Sequence, residues 1–324
     1  MTSSYRAPWW LPGGHLQTIY AVEFARRPRV TYRRERWEIP DGDFVDVDWL
    51  DAAAGVERPL VVLFHGLEGC SGSQYAHALM AASERAGWRG VVVHFRGCSG
   101  SANRLPRAYH SGDSTELDWM LRRLRNECAA PLYATGVSLG GNVLLKWLGE
   151  TGRAAEDIVA RAAAISAPVD LTAAGNALGR GFNLVYTRAF LSTLKEKSLQ
   201  KLQHHPGLYD AALVRNANTL RAFDNVVTAP LHGFLDTDDY WTRASSKPLL
   251  KHVTVPTLMI NARNDPFLPP EALPQAHEVS DAVTLEFPEE GGHVGFVSAP
   301  FPGNLDWLPD RVLAFFGHTT AGKR

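Results

Sequence analysis

Four short apolar runs set the strongest limit on what this chain can become. PLVVLFHG at 59–66, GVVVHFRG at 90–97, PLYATGVS at 131–138 and ARAAAISA at 160–167 are almost unbroken in apolar character, whereas a strand with one wet face alternates apolar and polar residues. Such runs predict strands covered on both faces. Between them, 73–86 (SQYAHALMAASERA), 113–127 and 139–150 (LGGNVLLKWLGE) carry helical spacing. Alternating strands and helices build βαβ units with right-handed crossovers, hence a mostly parallel sheet with helices on both faces and a ligand crevice at the carboxyl ends of the strands. VPTLMINA at 255–262 and AVTLEFPE at 282–289 continue the sheet, and 306–317 closes as an amphipathic helix. Upstream, 29–39 and 43–50 alternate around Pro40-Asp41-Gly42 and predict an antiparallel hairpin at a sheet edge, eight strands in all. From about 172 to 250 the chain is helical and aromatic with no buried strand. This stretch is expected to be a cap or lid inserted into a single domain spanning 1–324.

The 324 residues suffice for one sizeable core. The 33 basic and 34 acidic residues are spread along the chain for a net charge of -1, so no field draws in nucleic acid or an anionic membrane. Cys70, Cys98 and Cys128 are odd in number and lack CxxC spacing, which argues against a disulfide framework and a thiolate zinc site and fits a reducing compartment. Pro12, Gly13, Gly14, His15 and Gln17 interrupt the apolar runs of the N-terminus before a signal peptide or membrane span could form. The expected location is the cytoplasm, with no transmembrane segment. Trp9, Trp10 and Leu11 are read as packing on their own domain.

The chemistry is concentrated in Gly136-Val137-Ser138-Leu139-Gly140. This GxSxG sequence falls where a buried strand ends and a helix begins, the setting of a nucleophile elbow, in which flanking glycines let the backbone fold sharply and project the hydroxyl above the sheet. A serine hydroxyl is a weak nucleophile at neutral pH and needs a base, and the base needs a carboxylate to orient it. The α/β-hydrolase fold takes these in the chain order serine, acid, histidine. Asp265, in NARNDPF just past the strand at 255–262, and His293, in GGHVGF just past the strand at 282–289, stand in those places. Asp265 could otherwise serve as a turn former ahead of Pro266. The oxyanion formed on attack needs N–H donors. The backbone N–H of Leu139, at the start of the helix after Ser138, is one candidate, and that of Leu67, in His65-Gly66-Leu67-Glu68-Gly69, is the other.

Other residues receive plainer readings. His65 is expected to pack beneath the oxyanion loop and to border the substrate. Arg96-Gly97-Cys98-Ser99-Gly100 reads as a turn held by arginine hydrogen bonds. Cys70 and Cys98 lack a neighbouring base and are taken as small hydrophobes. Asp236, Asp238 and Asp239 read as a solvated helix cap, and no metal is expected. Phe182, Tyr186, Phe190, Tyr240 and Trp241 could roof an apolar acyl pocket or form the core of the cap.

Taken together, HLQT at 15–18, HGLEG at 65–69, HFRGCSG at 94–100, YHSGD at 109–113, GVSLGGN at 136–142, TAPLHGF at 228–234, NDPF at 264–267 and GGHVGF at 291–296 make the chain resemble the YheT-like branch of the α/β-hydrolases. That branch is related to the eukaryotic abhydrolase-domain proteins and the yeast medium-chain ethyl ester synthases. The resemblance carries the family's serine, aspartate and histidine onto Ser138, Asp265 and His293. It implies hydrolysis of short- to medium-chain acyl esters or lipids through an acyl-enzyme, with no cofactor. Acyl transfer to an alcohol shares that intermediate and stays open as an alternative. A non-catalytic ligand-binding protein on the same fold would be expected to show a damaged triad or oxyanion loop, and neither is seen.

Overall fold

A computed structural model describes residues 5–50 and 55–317. Eight strands form one sheet in the order β1-β2-β4-β3-β5-β6-β7-β8. β1 (Tyr32–Glu38) and β2 (Phe44–Leu50) pair antiparallel, and β2 is also antiparallel to β4 (Arg89–Val93). From β4 onward every pairing is parallel, through β3 (Leu60–Phe64), β5 (Leu132–Val137), β6 (Arg161–Ile165), β7 (Thr257–Ile260) and β8 (Val283–Glu286).

The continuous apolar runs are explained by what covers them. Leu60, Val62 and Phe64 of β3 pack on one side with Leu117, Met120 and Leu121 of α3 (Ser114–Glu127) and with Val143 and Leu144 of α4 (Leu139–Thr151). Val61 and Leu63 face the other side, toward Leu79 and Met80 of α2 (Gln74–Arg85) and Leu308, Val312 and Phe316 of the C-terminal helix (Trp307–Gly317). With both faces dry, every position of the strand gains from being apolar, at about 1.5–3 kcal/mol per large aliphatic side chain.

The hairpin departs from its sequence pattern. All seven residues of β2 are buried, Asp46 and Asp48 included. Register explains it: Arg36 lies opposite Asp46 and Arg34 opposite Asp48, and each guanidinium holds its carboxylate with two hydrogen bonds of 2.7–3.0 Å. Ser99, Ser71 and His94 supply further bonds from above, so the charges are buried only with partners. Arg96, in the RGCSG turn, is likewise buried and bonded to Asp41, Asp43 and Glu116.

At the N-terminus, Leu11 is buried and Trp10 packs against Tyr20 and Phe301, while Trp9 is 92% exposed. Between β6 and β7 the chain is helical, from α5 (Leu171–Leu178) through the 21-residue α6 (Leu184–His204) to α7 (Thr237–Ala244), with short helical turns between. Asp236 caps α7 by accepting the N–H of Asp239, which accounts for that acidic cluster. Among the described residues, no helix is long and apolar enough to cross a membrane.

Candidate active site

β5 ends at Val137 and α4 starts at Leu139, leaving Ser138 alone in the turn at φ 52°, ψ -119°. A side chain in this region costs on the order of 1–3 kcal/mol and persists only where the surroundings enforce it. Here they do. The Ser138 N–H donates to Ile165 O at 2.8 Å, and the Ser138 carbonyl accepts the Asn142 N–H at 3.1 Å. Gly140 passes so close to β3 that a Cβ there would collide with the carbonyls of Phe64 and His65, and a Cβ on Gly136 would strike the backbone of Gly140. Asn142 anchors the helix that follows, donating to Ser111 O and Ala244 O and accepting from Ser246 N–H.

The loops after β7 and β8 bring two further side chains to the same edge of the sheet. His293 Nε2 lies 2.9 Å from Ser138 Oγ, and His293 Nδ1 lies 2.9 and 3.2 Å from the carboxylate oxygens of Asp265. A carboxylate only accepts, so the imidazole proton sits on Nδ1 and Nε2 offers its lone pair to the serine hydroxyl. Asp265 is buried and also accepts the Phe267 N–H at 2.8 Å. The Phe267 ring stacks on the imidazole with centroids 4.1 Å apart. Residues 138, 265 and 293 thus form one continuous hydrogen-bonded chain.

Two residues of the HLQT stretch hold these loops together, which the sequence did not suggest. Gln17, fully buried in α1 (Gly14–Glu23), accepts from Asn264 Nδ2 at 3.0 Å and from Gly291 N–H at 2.8 Å, and donates to Leu11 O at 2.9 Å. Thr18 Oγ accepts the His293 N–H at 2.9 Å. The loops carrying Asp265 and His293 are therefore joined through a helix at the far end of the chain. Only the appearance of HLQT among the family-like motifs marked it in advance.

Past β3, the N–H groups beside Leu67 are occupied: Gly66 donates to Tyr75 Oη, Glu68 to Tyr109 Oη and Gly69 to Gly66 O. On the other side, Gly140 N–H donates to His65 O. Among the described residues, no protein acceptor meets the N–H of Leu67 or of Leu139. Glu68 sits at φ 57°, its carboxylate taking a hydrogen bond from Tyr109 Oη at 2.8 Å and an ion pair from Lys197 of α6 at 2.9 Å.

Ser138, His293, Leu67 and Leu139 border a cavity of about 1110 Å³. The helices between β6 and β7 supply much of its wall, including Leu171, Phe190, Phe223, Val227, Tyr240 and Trp241. Three expected substrate contacts fall elsewhere. His65 is fully buried, with Nδ1 bonded to Gly66 O at 2.8 Å and Nε2 accepting Phe95 N–H at 3.1 Å, so both ring nitrogens are consumed in shaping the loop. Burial lowers its pKa to about 3 and keeps it neutral. Phe182 is half exposed outside the cavity, and Tyr186 packs beside it against His15 and the back of Phe267. The turn Gly181–Asn183 and the first turn of α6 direct these two rings away from the cavity and toward His15 of the N-terminal helix. Cys98 lines the cavity, but burial pushes its thiol up to about 12 and leaves it protonated.

Residues 59–300 match the family model described as alpha/beta hydrolase fold. The chain is 41% identical over 303 residues to YheT of Escherichia coli (strain K12), by name a candidate esterase, covering 92% of this chain and 88% of that one. It is 30% identical over 325 residues to the human phospholipase ABHD3, covering 98% of this chain and 79% of that one. Among solved structures, the Pyrococcus furiosus esterase Pf2001 is similar with a TM-score of 0.56 over 89% of this chain and 92% of its own, at 16% identity, a likeness of fold alone. The extent of the family match and the identity to these relatives establish that this chain is a member of the alpha/beta hydrolase family.

Proposed function

We propose that the protein is a serine hydrolase that cleaves carboxylic esters through an acyl-enzyme on Ser138. The carrying observation is the unbroken chain Ser138 Oγ, His293, Asp265, with 2.9 Å at each of its two tightest links. In this reading His293 takes the serine proton as the hydroxyl attacks the ester carbonyl, and Asp265 stabilises the imidazolium that forms. The carbonyl oxygen, now anionic, accepts from the N–H groups of Leu67 and Leu139, each worth about 3 kcal/mol of barrier. His293 then protonates the departing alcohol, and water attacks the acyl group by the same route in reverse. Side chains and backbone N–H groups suffice for every step, so no cofactor is invoked.

The helices between β6 and β7 act as the cap, with Tyr240 and Trp241 in the wall of the substrate cavity. Its apolar lining suits a hydrocarbon acyl chain or lipid tail, in keeping with the names of the relatives. A fluorophosphonate probe reports the activated serine directly. Wild type is expected to label and to release nitrophenol from nitrophenyl esters of graded chain length, and Ser138→Ala to do neither. Equal labelling of the two proteins would refute the assignment.

A further inference from the structure

Two histidines from motifs that the triad leaves unexplained meet in the cavity wall. His110 belongs to YHSGD and His232 to TAPLHGF, and their rings lie 4.4 Å apart beside Phe234 and Tyr240. Both border the cavity that holds Ser138. Arg107, Lys146, Arg96 and Asp113 act on them electrostatically, and none forms an ion pair with either ring. Burial lowers both imidazoles to about 3, so they are neutral in ordinary conditions.

Their hydrogen bonding is incomplete. His110 Nδ1 accepts the Gly112 N–H at 3.2 Å, which places the ring proton on Nε2. Among the described residues, no protein acceptor meets that N–H. His232 Nε2 is buried without a partner. A pair of unpartnered, uncharged polar atoms beside the rings of Phe234 and Tyr240 is met by a ligand group that both donates and accepts. A hydroxyl has that character.

We propose that His110 and His232 form a polar subsite for an uncharged hydroxyl on the alcohol part of the substrate, a proposal that rests on the ester-hydrolase reading. A plain acyl chain has no hydrogen-bonding group to offer, whereas a polyol ester keeps free hydroxyls on its alcohol side. The subsite therefore selects hydroxylated alcohols, such as glycerol, over alkyl alcohols of the same size. Discrimination arises because the analogue without the hydroxyl leaves both imidazoles unpaired.

The test compares kcat/KM for glyceryl monohexanoate and butyl hexanoate in wild type, His232→Phe and His232→Gln. The ratio within each protein cancels losses common to both esters, and thermal melts confirm that each variant is folded. Wild type is expected to favour the glyceryl ester about tenfold, His232→Phe to bring the ratio near one, and His232→Gln, which keeps a donor and an acceptor, to retain part of it. A ratio equal in wild type and His232→Phe would overturn the subsite while leaving ester hydrolysis intact. A wild type inert toward both esters would overturn the hydrolase reading and the subsite with it.

Discussion

Replacing Gln17 with leucine keeps the volume of a fully buried side chain and deletes its amide. The longer bond to Glu290 Oε1 at 3.4 Å disappears, and so do three hydrogen bonds of 2.8–3.0 Å, to Leu11 O, Asn264 Nδ2 and Gly291 N–H. Each is worth about 1 kcal/mol net, and the buried N–H of Gly291 is left without a partner at roughly 1–3 kcal/mol in place of that figure, so the total is about 3–5 kcal/mol. With an unfolding entropy of about 2.1 cal/mol/K per residue, that lowers Tm by roughly 4–7 °C. The effect on turnover is expected to be larger than the loss of fold accounts for. Gln17 bridges the loop of Asp265 and the loop of His293 beside the direct bond from Gly292 N–H to Asn264 Oδ1 at 2.9 Å, and a displacement of about 1 Å at a catalytic group costs on the order of a hundredfold. The assay is kcat and KM for a nitrophenyl ester at a temperature where both proteins are fully folded, beside differential scanning calorimetry. The expected result is a kcat reduced by one to two orders of magnitude with KM little changed. A variant whose Tm falls as calculated but whose kcat matches wild type would show that the amide stabilises the fold without aligning the triad.

Lys197→Met breaks the ion pair between α6 and Glu68, the residue directly after Leu67. Steady-state kinetics are expected to show kcat lower by about tenfold, a fraction of what losing an oxyanion donor costs, with recovery in Lys197→Arg; an unchanged kcat in the methionine variant would uncouple the helix from the loop. Burial alone would raise the Asp48 carboxyl, but hydrogen bonds from Arg34, His94 and Ser71 outweigh it and hold it well below the usual carboxylate range. Its folded pKa is therefore depressed, and the stability it contributes is present above about pH 4 and lost as pH falls further. In urea titrations, Asp48→Asn should be less stable than wild type at pH 7 and should lose less stability on acidification from pH 4.5 to 2; parallel curves would refute the linkage.

The sheet was legible because burying a strand on both faces leaves a short apolar run, repeated here in alternation with helical segments, and Ser138 was legible because its turn demands glycines on either side. Asp265 and His293 followed from strand order. What sequence could not convey were polar groups whose role depends on partners far away. Asp46 and Asp48 look like the wet face of a hairpin until register brings Arg36 and Arg34 opposite them. Gln17 looks like an interruption in an apolar N-terminus, and its partners lie near residues 264 and 291. His65 and Tyr186 carry the residue types of a binding site but face inward or outward according to packing that periodicity does not encode. Phe182 falls in the short turn Gly181–Asn183 that precedes α6, where its ring packs on His15 and Tyr186 outside the cavity.

The helix bearing Gln17 and Thr18 lies outside the stretch 59–300 that matches the family model, yet it bonds to the loop of His293 across 274 and 275 positions of chain. During synthesis residues 17 and 18 must wait for residues 291 to 293 before that join can close. The sheet can gather its strands while translation proceeds, whereas the loop of His293 completes its bonds only when residues 17 and 18 and residues 291 and 293 are all present. A ribosome-bound fragment carrying Ser138 in its turn accordingly lacks the imidazole partner of that serine until residue 293 is released to meet Thr18.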